Sequence, residues 1–480
     1  MPAISPPARW RRRTTEDSVA ASTSGQARLK RSLGRLDLTA MGVGTIVGAG
    51  IFVTAGVAAA TEAGPAIMIS FVVAGVVCTL VALCYSELAA MVPVSGSAYT
   101  YTYATLGETP AFLVGWNLVL ELVVAGSAVA IGWSGMFGAA VESLFGITLP
   151  VVLTNSPADG GIVNLPAMVI IAVIVAVLVG DVRLTARVTK ALVALTIGVL
   201  LVIVAVGIPH INVANWAPFA PFGTKGVIGG AAVAFFAFLG FDVVATSAEE
   251  SRNPRRDLPF AIVVSVIVAT VLYIAVSAVL TGVSPYPTLN NEAPVATAFK
   301  ALHMGWIGGL ILAASVVALS KGLLMISYGQ TRLVFAMCRD RLLPAGLART
   351  GRKGTPVRVA VLLGVVGALI AGFVPIDIVA ELVNVGALFA FALVSIGVLV
   401  LRRIEPARER PFRTPLVPVV PVLALVGCVV LATTLAPLTW LRFGIWLVAG
   451  IALYAGYSRR RSLLAGSLPM VPMPVSQEAR

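Results

Sequence analysis

Met41-Gly42-Val43-Gly44-Thr45-Ile46-Val47-Gly48-Ala49-Gly50-Ile51-Phe52 sets four glycines in a stretch otherwise apolar enough to enter a bilayer. Each glycine lowers helix stability by about 1 kcal/mol relative to alanine, so this is a poor way to build a plain membrane helix. It predicts instead a helix that breaks halfway across. Backbone N–H and C=O groups bared at that depth are costly unless something polar binds them. A small zwitterion is the natural partner.

The rest of the chain supplies the membrane setting. Its 480 residues are 58% hydrophobic and 11% charged, against about 25% charged in soluble domains, so an all-α integral membrane protein is expected. A spanning helix needs about 20 apolar residues. Twelve such segments fall at 38–61, 65–91, 109–140, 162–180, 191–208, 227–248, 259–282, 306–337, 357–374, 378–400, 416–435 and 442–457. Residues 36–457 thus read as one twelve-helix domain. A disordered, Ser-, Thr-, Arg- and Pro-rich cytoplasmic tail is expected at 1–35, without the apolar core of a secretion signal. A short basic cytoplasmic tail is expected at 458–480.

The net charge of +13 orients this domain. Lys and Arg gather at 9–35, 183–190, 252–256, 332–358, 402–413 and 459–480, which are the two ends and every second connecting loop. Lys225, Lys300 and Arg442 fall on the other side, and Lys321 lies within a span. Both termini are therefore expected in the cytoplasm, with the protein in the plasma (inner) membrane, and the charge needs no nucleic-acid partner. Cys78, Cys84, Cys338 and Cys428 lie in or beside apolar spans and read as packing residues without disulfides. No Walker motif or metal-spaced His/Cys set occurs, and His210 and His303 fall in expected external loops. Neither an enzyme nor a cofactor is expected, and transport energy would come from a gradient.

A second interruption is legible in the sixth segment. Phe235-Phe236-Ala237-Phe238-Leu239-Gly240-Phe241-Asp242 surrounds a glycine with aromatics and follows it with an acid at mid-membrane depth. If the first span opens one five-helix unit, the sixth opens the next. Interrupted spans at matching positions in two repeats mark the substrate site of a transporter.

Together, Leu36–Val53, Val94–Glu108, Trp116–Glu121, Phe235–Pro259 and Tyr328–Pro344 resemble the amino acid–polyamine–organocation superfamily, specifically its cationic amino acid transporter branch and bacterial relatives. The resemblance runs from about Leu33 to Arg358. It implies two inverted five-helix repeats (the LeuT-like fold) at about 36–208 and 226–400, two added C-terminal helices at about 416–457, and alternating access.

Residues and resemblance point to one head group. Where the first helix restarts, at Gly48, Ala49 and Gly50, free N–H groups and the positive end of a half-helix dipole favour a carboxylate. Carbonyls of Thr45 and Ile46, and those of Phe236, Ala237 and Phe238, are expected to accept from an ammonium. An α-amino acid carries both charges. The resemblance makes Phe236 an aromatic gate over it. Asp242 costs on the order of 3 kcal/mol at that depth and is a functional candidate on that ground. Glu121, mid-way along the third span, either meets a cationic substrate side chain or bonds a neighbouring helix. Glu87, Glu108, Glu249 and Glu250 sit near span ends and read as solvated or loop-pairing.

Lys321 is the most unusual residue, placed in Ala313-Ala314-Ser315-Val316-Val317-Ala318-Leu319-Ser320-Lys321 far from either end of its span. By the resemblance, proton-coupled relatives carry a lysine on the fifth helix. Matching through Ala186-Arg187-Val188 puts Thr196 there, so that lysine is missing. Matching through Tyr328-Gly329-Gln330 puts Lys321 on the eighth helix, facing the same place. The expectation is an ammonium moved from one helix to the other and bridging to carbonyls between Gly44 and Val47. Burial disfavours a charged ammonium, so Lys321 is expected to release and regain a proton during transport. A permanently charged Lys321 would instead tie the first helix to the eighth without coupling, and one paired with Asp242 or Glu121 would be structural.

The expected function is secondary transport of a cationic or small neutral L-amino acid, driven by protons. An uncoupled exchanger or uniporter is the alternative. Polyamines lack the carboxylate; a channel would need a selectivity filter, and a sensor an added cytoplasmic domain. The bilayer is the one macroscopic partner expected. Oligomeric state is not legible, because lipid-facing and partner-facing leucines look alike.

Overall fold

Long apolar stretches in lipid satisfy their backbone by intrahelical hydrogen bonds, and helices dominate this chain. The computed structural model describes residues 33–48, 50–94, 96–180, 186–291, 293–302, 304–348 and 356–462. Most of both expected tails, His303 and Ala49 lie outside the described residues. Among those described, β pairing is limited to one isolated bridge between Leu33 and Ser251.

Among the described residues, twelve helices of a dozen residues or more follow in order. They are α1 (Arg35–Ile46), α2 (Ile67–Met91), α3 (Glu108–Phe145), α4 (Leu165–Gly180), α5 (Ala186–Gly207) and α6 (Gly223–Phe236). Then come α7 (Pro254–Val283), α8 (Gly305–Arg339), α9 (Val357–Phe373), α10 (Ile376–Ile404), α11 (Val419–Ala432) and α12 (Pro437–Leu453). Seven runs are long and apolar enough to cross a membrane by length and composition, and four shorter apolar helices accompany them. The protein is multi-pass and all-helical.

Two helix starts differ from the hydropathy boundaries, and each begins at a proline. The seventh segment was expected from Pro259, but α7 starts at Pro254 and carries Pro259 inside it. The twelfth was expected from residue 442, whereas α12 opens at Pro437. Proline fits a helix's first turn, where its missing N–H has no intrahelical partner to lose. Both helices use that allowance, and each gains five residues.

Packing sets α7 against both α1 and α2, α3 against α8 and α10, and α4 against α9. Two polar arrangements fix the periphery. Trp116 on α3 and Trp446 on α12 stack at 4.2 Å, and each indole N–H donates to the other's backbone carbonyl, at 2.9 and 3.2 Å. At the ends of α2 and α10, buried Glu87 accepts two bonds from the Arg402 guanidinium at 2.9 and 2.8 Å. The same carboxylate takes Arg410 Nε at 3.2 Å and the Thr414 N–H at 2.8 Å. A carboxylate with that many donors is fully answered. Glu108 is likewise buried, accepting from Tyr454 at 3.0 Å and Ser462 at 2.8 Å. Both acids read as solvated or loop-pairing in sequence; neither is solvated, and both are buried with hydrogen-bond partners.

Removing the charge at residue 87 would leave the buried Arg410 and the partly exposed Arg402 without their carboxylate. Glu87→Gln is expected to destabilise the folded protein by about 3 kcal/mol, seen as a lowered thermal midpoint in detergent. Glu405→Gln, which breaks the partly exposed pair with Arg408, is expected to cost under about 1 kcal/mol.

Candidate functional site

α1 ends at Ile46, Val47 turns extended (φ −74, ψ 100), and helix resumes at Gly50 as a π segment, Gly50–Thr54. α6 ends at Phe236, passes through turns, and resumes only as the short Val243–Thr246. Both expected interruptions are present, and they face each other. A Cβ on Gly50 would lie 2.2 Å from the Ala237 Cβ, and one on Gly240 would lie 2.6 Å from the Thr45 Cγ2. Gly240 also has φ +112, a conformation L side chains rarely adopt. The breaks thus cross in direct contact at two points, and any larger side chain at either glycine would push them apart.

This closeness corrects one expectation. The carbonyls of Ile46 and Ala237 do not stand bare for a ligand. Both lie 2.9 Å from the hydroxyl of Tyr273, which is fully buried on α7. The Phe236 carbonyl accepts the Leu239 N–H at 3.3 Å in the tight turn that replaces the helix. One phenol proton serves two carbonyls from two different helices, so Tyr273 senses the spacing of the breaks. Its ring is wedged among Phe71 and Phe238, with centroids 5.3 Å away in each case. Sequence reading missed it, although a lone tyrosine mid-way along an apolar span is a signal: its hydroxyl must find a partner when buried.

Thr45 is buried, and its hydroxyl donates back to the Met41 carbonyl at 2.7 Å. Gly48 lies in the gap itself. Phe236 and Phe238 are both buried beside the break in α6. Asp242 is buried beside the N–H groups of Gly240 and Val243, and its carbonyl accepts from Ser97 Oγ at 3.4 Å. Glu121 is buried on α3, and among the described residues its Oε2 has no hydrogen-bond partner. One turn earlier, Asn117 donates to the Gly386 carbonyl at 2.7 Å, while its own oxygen has no partner among the described residues.

Lys321 is 2% exposed, and its Nζ makes no hydrogen bond among the described residues. It pairs with neither Asp242 nor Glu121. The ammonium faces α1 instead, 3.3 Å from where a Cβ on Gly44 would stand. Thr196 is also buried, and its hydroxyl donates to Leu192 on its own helix at 2.8 Å. Arg332 pairs with Glu250 at 2.6 Å, and Tyr328 donates to the same carboxylate at 3.1 Å. A separate cavity of about 20 Å³, room for about one water, lies among α3, α4, α8 and α9 beside Ser127, Ser327 and Gln330.

A multi-pass helical protein with two interrupted helices crossing at buried charges is built as a solute carrier. The chain belongs to the amino acid permease family, whose profile matches residues 33–455. It is 45% identical to the branched-chain amino acid permease BcaP of Bacillus subtilis (strain 168), over 95% of this chain and 98% of that one. It is 44% identical to the methylthioribose transporter of the same organism, over 95% of this chain and 99% of that one. Identity to the vacuolar cationic amino acid transporter 4 of Arabidopsis thaliana is 37%, over 82% of this chain and 67% of that one. These relatives are permeases and transporters, not enzymes.

Tyr273→Phe keeps the ring and removes the hydroxyl that bonds the Ile46 and Ala237 carbonyls. With at least one buried carbonyl left bare, it is expected to lose about 2 kcal/mol of stability. Thermal unfolding in detergent measures the loss.

Proposed function

We propose that this permease moves an amino acid across the plasma membrane as a secondary transporter, by alternating access. The observation that carries the reading is the crossing of two interrupted helices, Gly50 on Ala237 and Thr45 on Gly240. Half-helix ends of opposite partial charge converge there. On this reading the chain crosses the bilayer twelve times. The Gly50–Met91 run of 42 residues is about twice what one crossing needs, and its Gly64-Pro65 turn divides it between the first and second crossings. α1–α5 and α6–α10 form inverted repeats of the LeuT-like fold, α11 and α12 are additions, and both termini are cytoplasmic.

The N–H groups of Gly48, Ala49 and Gly50 take the substrate carboxylate. The Thr45 and Phe238 carbonyls take its ammonium, while Ile46, Phe236 and Ala237 shape the break rather than bind. Phe236 gates the site, and Asp242 holds the turn in α6 beside it. A small neutral, aliphatic side chain fits best. The break carries phenylalanines and alanine, and a relative that covers the whole length is named for branched-chain amino acids. The unanswered Glu121 oxygen favours a cationic side chain as the second reading. Methylthioribose, named for an equally similar relative, offers neither charge of the head group.

Coupling is assigned to Lys321. Its unpaired ammonium lies at the C-terminal end of α1, where carbonyl dipoles concentrate negative partial charge, so loss of its proton would loosen α1 from α8. With Thr196 at the matching level, the fifth helix offers no ammonium there, and its Lys190 pairs with Asp37 instead.

A thermal-shift screen of the purified protein against the twenty amino acids and methylthioribose tests the substrate. A ligand at 100 times its Kd is expected to add about 2.7 kcal/mol of apparent stability. The largest shift is expected from Leu, Ile or Val, and a shift from methylthioribose alone would overturn the amino acid reading. In proteoliposomes, Lys321→Met is expected to abolish accumulation driven by an imposed pH gradient while leaving exchange of labelled for unlabelled substrate within about twofold. Retained gradient-driven accumulation would remove Lys321 from coupling.

A further inference from the structure

Gln330 on α8 is a buried polar group that lies away from the breaks. Its side chain is 6% exposed, and its amide Nε2 has no hydrogen-bond partner among the described residues. At 3.6 residues per turn, it faces the opposite side of α8 from Lys321. A buried amide costs free energy unless something meets it. The space beside it is the cavity of about 20 Å³ among α3, α4, α8 and α9.

The polar lining of that cavity is lopsided. Ser127 on α3 shares its hydroxyl proton between the Val123 carbonyl and the Gly367 carbonyl of α9, each at 2.9 Å. Thr331 donates to the Tyr328 carbonyl at 2.8 Å. Both hydroxyl protons are committed, so these oxygens keep only lone pairs to offer. The amide of Gln330 supplies the free N–H. Such a pattern selects its ligand. A cation would be repelled by the amide N–H, and an anion would meet hydroxyl lone pairs. Val175, Leu178 and Leu363 bring half-buried hydrocarbon to the rim, and hydrocarbon leaves the amide unanswered. Water both accepts and donates, and it needs only about 10–15 Å³ of room and two to four polar partners.

We propose that this cavity is a binding site for one ordered water, which accepts from the Gln330 amide and donates to Ser127 Oγ. The water joins α8 to α3 and, through the Ser127–Gly367 bond, to α9. Gly367 makes the room. A Cβ there would stand 3.6 Å from Ser127 Oγ and about as close to Ile171 and Val123, all of them cavity-lining residues. The site is separate from the helix breaks and holds whichever substrate the protein carries.

X-ray footprinting of the full-length protein in lipid nanodiscs tests this directly. Brief pulses split water into hydroxyl radicals, and tandem mass spectrometry locates the side chains they oxidise. Leu323 lines the cavity and is 1% exposed, so it reports on a bound water and not on bulk solvent. Its oxidation should rise with dose in the native protein. The signal should be lost in Gln330→Leu, which removes the amide, and in Gly367→Ala, which fills the space. No oxidation in the native protein, or equal oxidation in all three, would overturn the site. Thermal unfolding gives a second readout. A dry cavity would strand the amide, so Gln330→Leu would then raise the midpoint by about 1–3 °C. With water bound no rise is expected, and a rise overturns the proposal. Gly367→Ala should lower the midpoint, although alanine is the better helix former, and should not lower it when combined with Gln330→Leu. An equal effect in both backgrounds would also overturn the proposal.

Discussion

A peptide group stranded in hydrocarbon must find a partner or destabilise the fold, and this protein strands several on purpose. The interruptions in α1 and α6 expose backbone at the same depth, and the molecule answers by pressing one against the other. Two contact points, glycine on alanine and glycine on threonine, bring the chains as close as backbones allow. A single phenol then covers a carbonyl from each. The position of α7 follows from this, because it must deliver that hydroxyl while packing against α1 and α2. The wedge of Phe71 and Phe238 around Tyr273 follows as well.

Charges inside the fold divide into two kinds. Glu87 and Glu108 are buried but saturated with donors, and they tie loop ends to helix ends. Lys321 and the Glu121 oxygen are buried with nothing bonded to them. Holding an unanswered charge costs far more than holding a paired one. The peripheral acids are satisfied completely, whereas among the described residues these two are not, which is why the proposed coupling and side-chain roles fall on them. The contrast separates scaffold from machinery more clearly than burial does, since all four are hidden from water.

Hydropathy made most of the architecture legible. The apolar segments appear as helices in the expected order, and glycine density marked both interruptions because local propensity and function agree there. Boundaries slipped at the starts of α7 and α12, where the helices begin five residues earlier, at prolines that a first turn accommodates. What stayed hidden was long-range pairing. Nothing near Tyr273 in sequence says that it reaches Ile46, 227 positions away. Nothing at Leu33 announces its bridge to Ser251. The Ile46 and Ala237 carbonyls looked free because only their own helices were counted. Lys321 stood out in sequence, but the bare glycine opposite it is a fact of three dimensions.

The paired indoles of Trp116 and Trp446 carry a consequence of a mechanical kind. Each ring is bolted to the other helix's main chain, so α12 can neither slide nor rotate past α3 without shearing both fastenings at once. The outermost element, bathed largely in acyl chains, is therefore keyed to an interior one. Glu121 stands only five positions beyond that bolt. A bilayer whose thickness forces the rim to tilt would drag the key with it, giving the surrounding lipid a rigid lever on the heart of the carrier.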